Sequence, residues 1–147
     1  MGRIRSINIS EKKGTEKKEI TSCKVTSEGL ENDAHAGSWH RQVSILGAEA
    51  IDNFAKETGI DIAPGAFGEN LVVEGIDMSK VSLLDRFIIG EVELEVTQIG
   101  KKCHGEACSI FKRTGECIMP KVGLFARVLK EGVIHKDQEV EIIFKNL

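Results

Sequence analysis

The stretch Phe87-Ile88-Ile89-Gly90-Glu91-Val92-Glu93-Leu94-Glu95-Val96-Thr97 constrains the fold more than any other. Val92, Leu94 and Val96 alternate with three glutamates. A helix would scatter these residues around its circumference, whereas a strand sends every second side chain to one face, so the pattern predicts a half-buried β-strand. Gly90-Glu91, between two such runs, predicts a tight hairpin turn with positive φ at its first position. The C-terminus repeats the pattern, with Val140, Ile142 and Phe144 alternating with Glu139, Glu141 and Ile143.

Ile4, Ile7 and Ile9 mark a short first strand, and a second is expected near Ile20 to Thr26. The charged run Glu11 to Lys18 between them is read as a solvated hairpin or loop; a basic contact for an anionic ligand is the alternative. Only Gly47 to Thr58 has helical spacing: Ala48, Ile51, Phe54 and Ala55 recur at intervals of three and four, with Ser44 as a cap upstream and Gly59 as a stop. Such a helix would cover one face of a sheet. Pro64 and Pro120 each lie beside a glycine-containing stretch and are read as structured turns. Many short strands with one helix predict a mainly β protein, a barrel or folded sheet, in a single domain spanning 1–147.

Composition fits a folded domain: 41% of residues are hydrophobic and 29% charged, and the net charge of -3 argues against nucleic acid as the main partner. The N-terminus lacks the apolar run of a secretory signal, and no stretch approaches the roughly 20 apolar residues that cross a bilayer. A cytoplasmic location away from membranes is expected. In that compartment Cys23, Cys103, Cys108 and Cys117 would stay reduced, as catalytic, metal-binding or buried thiols.

Three stretches hold candidate chemistry. Ile99 to Cys108 follows a strand end and sets Lys101-Lys102 directly before Cys103-His104. Cationic neighbours favour the thiolate, the form that attacks electrophiles and binds soft metals. The alternative is an inert thiol. Cys103, His104, Cys108 and Cys117 also offer zinc ligands, without the paired Cys-x-x-Cys spacing that zinc sites favour; Cys108 and Cys117 are alternatively resolving thiols for Cys103. The second stretch, Gly29 to Ser44, holds His35, Trp39, His40, Arg41 and Asp33. His35 can carry a proton near neutral pH and Arg41 can clamp a phosphate or carboxylate; alternatively Asp33 makes a local turn bond, Trp39 packs and Arg41 pairs with a surface acid. The third, Pro64 to Val73, sets Glu69-Asn70 at the head of a strand behind two glycines, either an anion cradle or a structural turn.

In their order along the chain these stretches resemble the MOSC family, the domain named for the C-terminal part of molybdenum cofactor sulfurase. The matching pieces are Asn32-Asp33-Ala34-His35-Ala36-Gly37, His40-Arg41-Gln42-Val43-Ser44, Pro64 to Leu71, Val96-Thr97-Gln98 to Cys103-His104, and Cys117-Ile118-Met119-Pro120 continuing into Gly123 to Leu129. The joint order is the specific signal, and it is similar to the short stand-alone bacterial branch.

The resemblance implies a β-barrel and a cysteine, here Cys103, that carries sulfur or ligates molybdenum in a bound molybdenum cofactor (molybdopterin). It implies anion contacts from Arg41 and Arg127, with His35 as a neighbouring catalytic group and Glu69, Asn70 and His104 beside the cofactor. Partners would be molybdenum cofactor biosynthesis enzymes or a sulfur donor of the cysteine desulfurase type. A molybdenum-dependent reductase of N-hydroxylated compounds, fed by an electron-transfer partner, is a second reading, and a zinc-stabilised non-enzymatic module a third. The chain departs from the family where Leu84-Asp85 and Lys136-Asp137 replace a frequent Gly-Asp, so two barrel turns are expected to differ.

Overall fold

The computed structural model describes residues 1–13, 15–100 and 123–145. Its described strands are β1 (Gly2–Ile9), β2 (Lys18–Ile20), β3 (Ser22–Thr26), β4 (Gly29–Leu30), β5 (Val43–Gly47), β6 (Leu71–Glu74), β7 (Arg86–Ile89), β8 (Val92–Ile99), β9 (Leu124–Lys130), β10 (Gly132–His135) and β11 (Glu139–Ile143). The described helices are α1 (Ala48–Thr58) and a single 3-10 turn at Met78–Lys80.

Seven strands run in the order β11-β7-β8-β9-β5-β6-β1, and a β11–β1 pairing closes them into a barrel. Beyond Arg3, the β1 edge vacated by β11 is taken up by β2. Closure leaves no long unpaired edge. All pairs are antiparallel except β5–β6, and those two strands are joined through α1 as a parallel pair requires.

Alternation builds two cores. Ile45, Leu71, Val73, Leu124 and Ala126 point into the barrel with Val92, Leu94 and Val96. Their neighbours Leu46, Val72 and Phe125 point outward and are covered by Ala48, Ile51 and Phe54 of α1 together with Phe67. Phe54 meets Phe67 edge-on at 5.2 Å between centroids. With both faces covered, β5 is buried at every position, whereas β8 leaves Glu93, Thr97 and Gln98 partly exposed. The small sheet β10-β3-β4 adds Val25, Leu30 and Ile134 to the barrel core.

The hairpin forms as expected: Ile89 pairs with Val92, and Gly90 has φ 60°. Gly59 ends α1 at φ 69°. Three expectations need correction. Ser44 does not cap the helix, because it lies inside β5 and bonds to Asn70; the cap position is Gly47, which makes no side-chain bond. The stretch Ile20 to Thr26 is two strands in different sheets, broken at Thr21. Finally, the charged run before β2 is not wholly solvated, since Lys17 is buried.

Candidate functional site

The loop between β4 and β5 is organised by one carboxylate. The Asp33 side chain has no exposed surface and pairs with the equally buried Lys17, Nζ to Oδ1 at 2.7 Å. Its Oδ1 also accepts the Ser10 N–H at 3.1 Å, and its Oδ2 accepts the His35 N–H at 3.1 Å. Burial pushes this carboxyl up, but the Lys17 ion pair and the hydrogen bonds, one from Asn70 among them, outweigh it and hold the group below its ordinary value. Asp33 thus makes the expected local turn bond and a long-range buried ion pair as well.

Trp39 is tied to the same loop, its indole Nε1 donating to the His35 carbonyl at 2.8 Å. The Arg41 guanidinium lies over Trp39 at 4.7 Å and over Phe125 at 5.6 Å. The Lys13 ammonium also approaches Trp39, at 5.4 Å. Stacking on indole and phenyl rings orients a guanidinium without using its N–H donors. The Arg41 Nε is buried with no hydrogen-bond acceptor among the described residues. Among the described residues Arg41 therefore does not pair with a surface acid, and its Nε donor is left without a partner.

A β-bulge adjoins this arginine. The β8–β9 register shifts between Val96 and Gln98, leaving Thr97 as the extra residue. Bulges re-aim strand ends beside functional sites. The Thr97 hydroxyl lies within hydrogen-bond reach of the His40 carbonyl and of the Phe125 carbonyl. Three residues later the Gly100 N–H donates to the Gly123 carbonyl at 2.6 Å. The strand that leads towards Cys103 in sequence is thus latched to the Arg41 loop.

The other predicted site residues are placed differently. Arg127 sits on the outer face of β9 and pairs with Glu95 across the strand, Nη2 to Oε1 at 2.8 Å. Glu69 is completely buried, accepting the Gly65 N–H at 2.9 Å and the Phe67 N–H at 3.0 Å, and burial pushes its carboxyl up to about 7. Asn70 is equally buried; it accepts the Ser44 N–H at 2.9 Å and donates to the Asn8 carbonyl at 3.1 Å. Both side chains are spent inside the fold, bracing the 64–70 turn against β1 and β5. His35 is half-buried beside Trp39. Cys103, His104, Cys108 and Cys117 lie outside the described residues. Among the described residues no cluster of three or more His, Cys, Asp or Glu side chains could hold a metal, and Cys23 is a buried free thiol whose pKa burial raises.

Sequence reasoning missed Lys17, Phe125 and the tether role of Trp39. Lys17 sits in a run of similar lysines, and Phe125 lies far from Arg41 along the chain, so neither carried a local signal.

A closed seven-strand barrel with one parallel pair among its described strands, and an arginine stacked on two rings beside the β8–β9 bulge, defines the class: a mixed β-barrel. The model of the MOSC domain matches residues 32–141, well over half of the chain, and the chain belongs to that family. No curated protein matches it. Among solved structures it is similar to the YuaD protein of Bacillus subtilis, with a TM-score of 0.80 and 19% identity over 97% of this chain and 96% of that one. It is also similar to YiiM of Geobacillus stearothermophilus, with a TM-score of 0.76 and 21% identity over 100% and 77% of the two chains. For YiiM of Escherichia coli the TM-score is 0.67 and the identity 24%, over 97% and 70%. At these identities the likenesses establish the shared fold. Among the described residues no helix is long and apolar enough to cross a membrane.

Proposed function

We propose that this protein binds the molybdenum cofactor through its anionic pterin side and uses Cys103 to carry sulfur or contact the metal. The observation that carries this reading is Arg41: a guanidinium held between Trp39 and Phe125 with a buried Nε that lacks an acceptor among the described residues. Leaving such a donor unmade is costly, about 1 to 3 kcal/mol or more for a charged group, so an anionic partner suits it well. Arg41 would hold the phosphate, and Lys13, over the same indole, would add charge.

When bound, the cofactor supplies a molybdenum centre suited to sulfur or oxygen transfer. The chain's own residues hold, orient and shield. Thr97 fixes the β8 end against the Arg41 loop, and Cys103 follows Gly100 by three residues, a length of chain that reaches no more than about 11 Å. Arg127, already paired with Glu95, is a secondary contact, while Glu69 and Asn70 act as braces. Sulfur would come from a donor of the cysteine desulfurase type, in the cytoplasm and alongside molybdenum cofactor biosynthesis enzymes.

The test is to express the protein with an intact cofactor supply, and to measure molybdenum, pterin and sulfane sulfur in the wild type, Arg41→Ala and Cys103→Ser. Arg41→Ala should lose pterin. Cys103→Ser should keep pterin and lose sulfane sulfur or metal contact. Unchanged pterin in Arg41→Ala, or unchanged sulfur and molybdenum in Cys103→Ser, would remove the respective assignment.

A further inference from the structure

We infer that Lys17, Asp33 and Trp39 are positioning residues for the Arg41 anion seat, linked as one relay from the buried ion pair to the guanidinium; this rests on the reading of Arg41 as that seat. The relay is continuous. Lys17 Nζ donates to Asp33 Oδ1 at 2.7 Å. Asp33 Oδ2 fixes the His35 N–H at 3.1 Å, and the His35 carbonyl receives the Trp39 indole N–H at 2.8 Å. Arg41 rests on that indole at 4.7 Å.

Each link does something a simple packing role would not require. A lysine with almost no exposed surface sacrifices its hydration, and such pairs often add little net stability against apolar replacements of similar shape. What this pair supplies is direction: Lys17 and the Ser10 N–H hold Oδ1, so the carboxylate is fixed with Oδ2 on the His35 amide, which sets the loop's peptide planes. The Trp39 ring is only half-buried, and its indole bond fixes its rotation. A planar guanidinium is sensitive to the plane it stacks on, so a freely rotating indole would spread the Arg41 donors over many directions. Lys17 also donates to the Ser10 hydroxyl at 3.0 Å, which joins the 11–17 loop to the site. The same loop contributes Lys13 at the ring, so one segment supplies both an exposed cation and a buried one.

The chain has a single tryptophan, so its indole N–H gives one resonance that reports the relay alone. The experiment compares wild type, Lys17→Met, Trp39→Phe and Arg41→Ala. It records the indole N–H exchange rate where the indole remains, and titrates each folded variant with inorganic phosphate by calorimetry. Lys17→Met should expose the indole N–H to faster exchange and weaken phosphate binding. Trp39→Phe keeps an aromatic ring while removing the tether and part of the stacking face, and should weaken binding by at least about five-fold, the worth of one neutral hydrogen bond. Should Lys17→Met fail to fold, Trp39→Phe decides. The inference is overturned if Arg41→Ala loses phosphate while Trp39→Phe, and Lys17→Met where folded, bind like the wild type. Equal phosphate binding by Arg41→Ala and wild type, or none by either, instead overturns the Arg41 seat and the relay's purpose with it.

Discussion

Glu69 sets two physical effects against each other, and its titration shows which prevails. Its carboxyl has no exposed surface, which favours the neutral acid, yet both oxygens accept backbone N–H groups, from Gly65 and Phe67, which favours the anion. Burial prevails, raising the group from 4.5 to about 7. The unfolded chain releases this proton near 4.5, while the folded protein keeps it until about 7. Between those values the native state binds the extra proton, so stability falls as pH rises. At 1.36 kcal/mol per pH unit, the contribution present below 4.5 and lost by about 7 comes to about 3 kcal/mol. Glu69→Gln cannot titrate. It also turns an amide N–H towards a backbone donor, a cost that is independent of pH. Urea unfolding of both proteins across this range isolates the effect, because acid-sensitive groups common to both, such as Asp33 and Glu74, cancel on subtraction. Wild type should gain about 3 kcal/mol over Glu69→Gln on going from pH 7 to 4.5. Parallel stability curves would mean that the carboxylate stays charged throughout and the two N–H bonds outweigh its burial, and the reasoning would fail.

Two further outcomes concern the same turn. Gly65 has φ 85°, and an added Cβ would lie 2.1 Å from the Lys17 carbonyl oxygen, so Gly65→Ala should cost at least about 2 kcal/mol of unfolding free energy from left-handed strain and the backbone displacement; a loss under about 0.5 kcal/mol in urea titration would contradict the close approach. Asn70→Ala strips partners from the Ser44 N–H and the Asn8 carbonyl, both buried, and at about 1 to 3 kcal/mol for each orphaned group should lower stability by about 2 to 6 kcal/mol. A variant that keeps wild-type stability but loses cofactor would return Asn70 to the binding surface.

The barrel was legible because its signals are local. Alternation in Val92, Leu94 and Val96, the Gly90 hairpin and the Gly59 stop each depend on a few neighbouring residues. The MOSC resemblance was legible from the order of several short pieces, and the family assignment agrees with it. The break at Thr21 was not legible, since Ile20, Cys23 and Val25 read as one apolar run whichever sheet they join. Lys17 was hidden because one lysine among several carries no mark of a carboxylate 16 residues on. Ser44 has a capping residue's chemistry, but its partners at Asn70 are set by the β5–β6 pairing. Leu84 shows the reverse case: a leucine carries no local signal for a left-handed turn, yet it adopts φ 74°.

The hydrogen bond between Gly100 and Gly123 bears on how the intervening sequence can vary. The β8–β9 ladder runs to Ile99 and Leu124 before that bond closes it, so the two ends of the intervening sequence meet at one point on a finished scaffold. Closing a flexible chain between two fixed ends costs only about 0.6 kcal/mol more for each doubling of its length. A change in the length or chemistry of the cysteine-bearing sequence therefore leaves the ladder on either side of it, and the Thr97 tie to the Arg41 loop, in place.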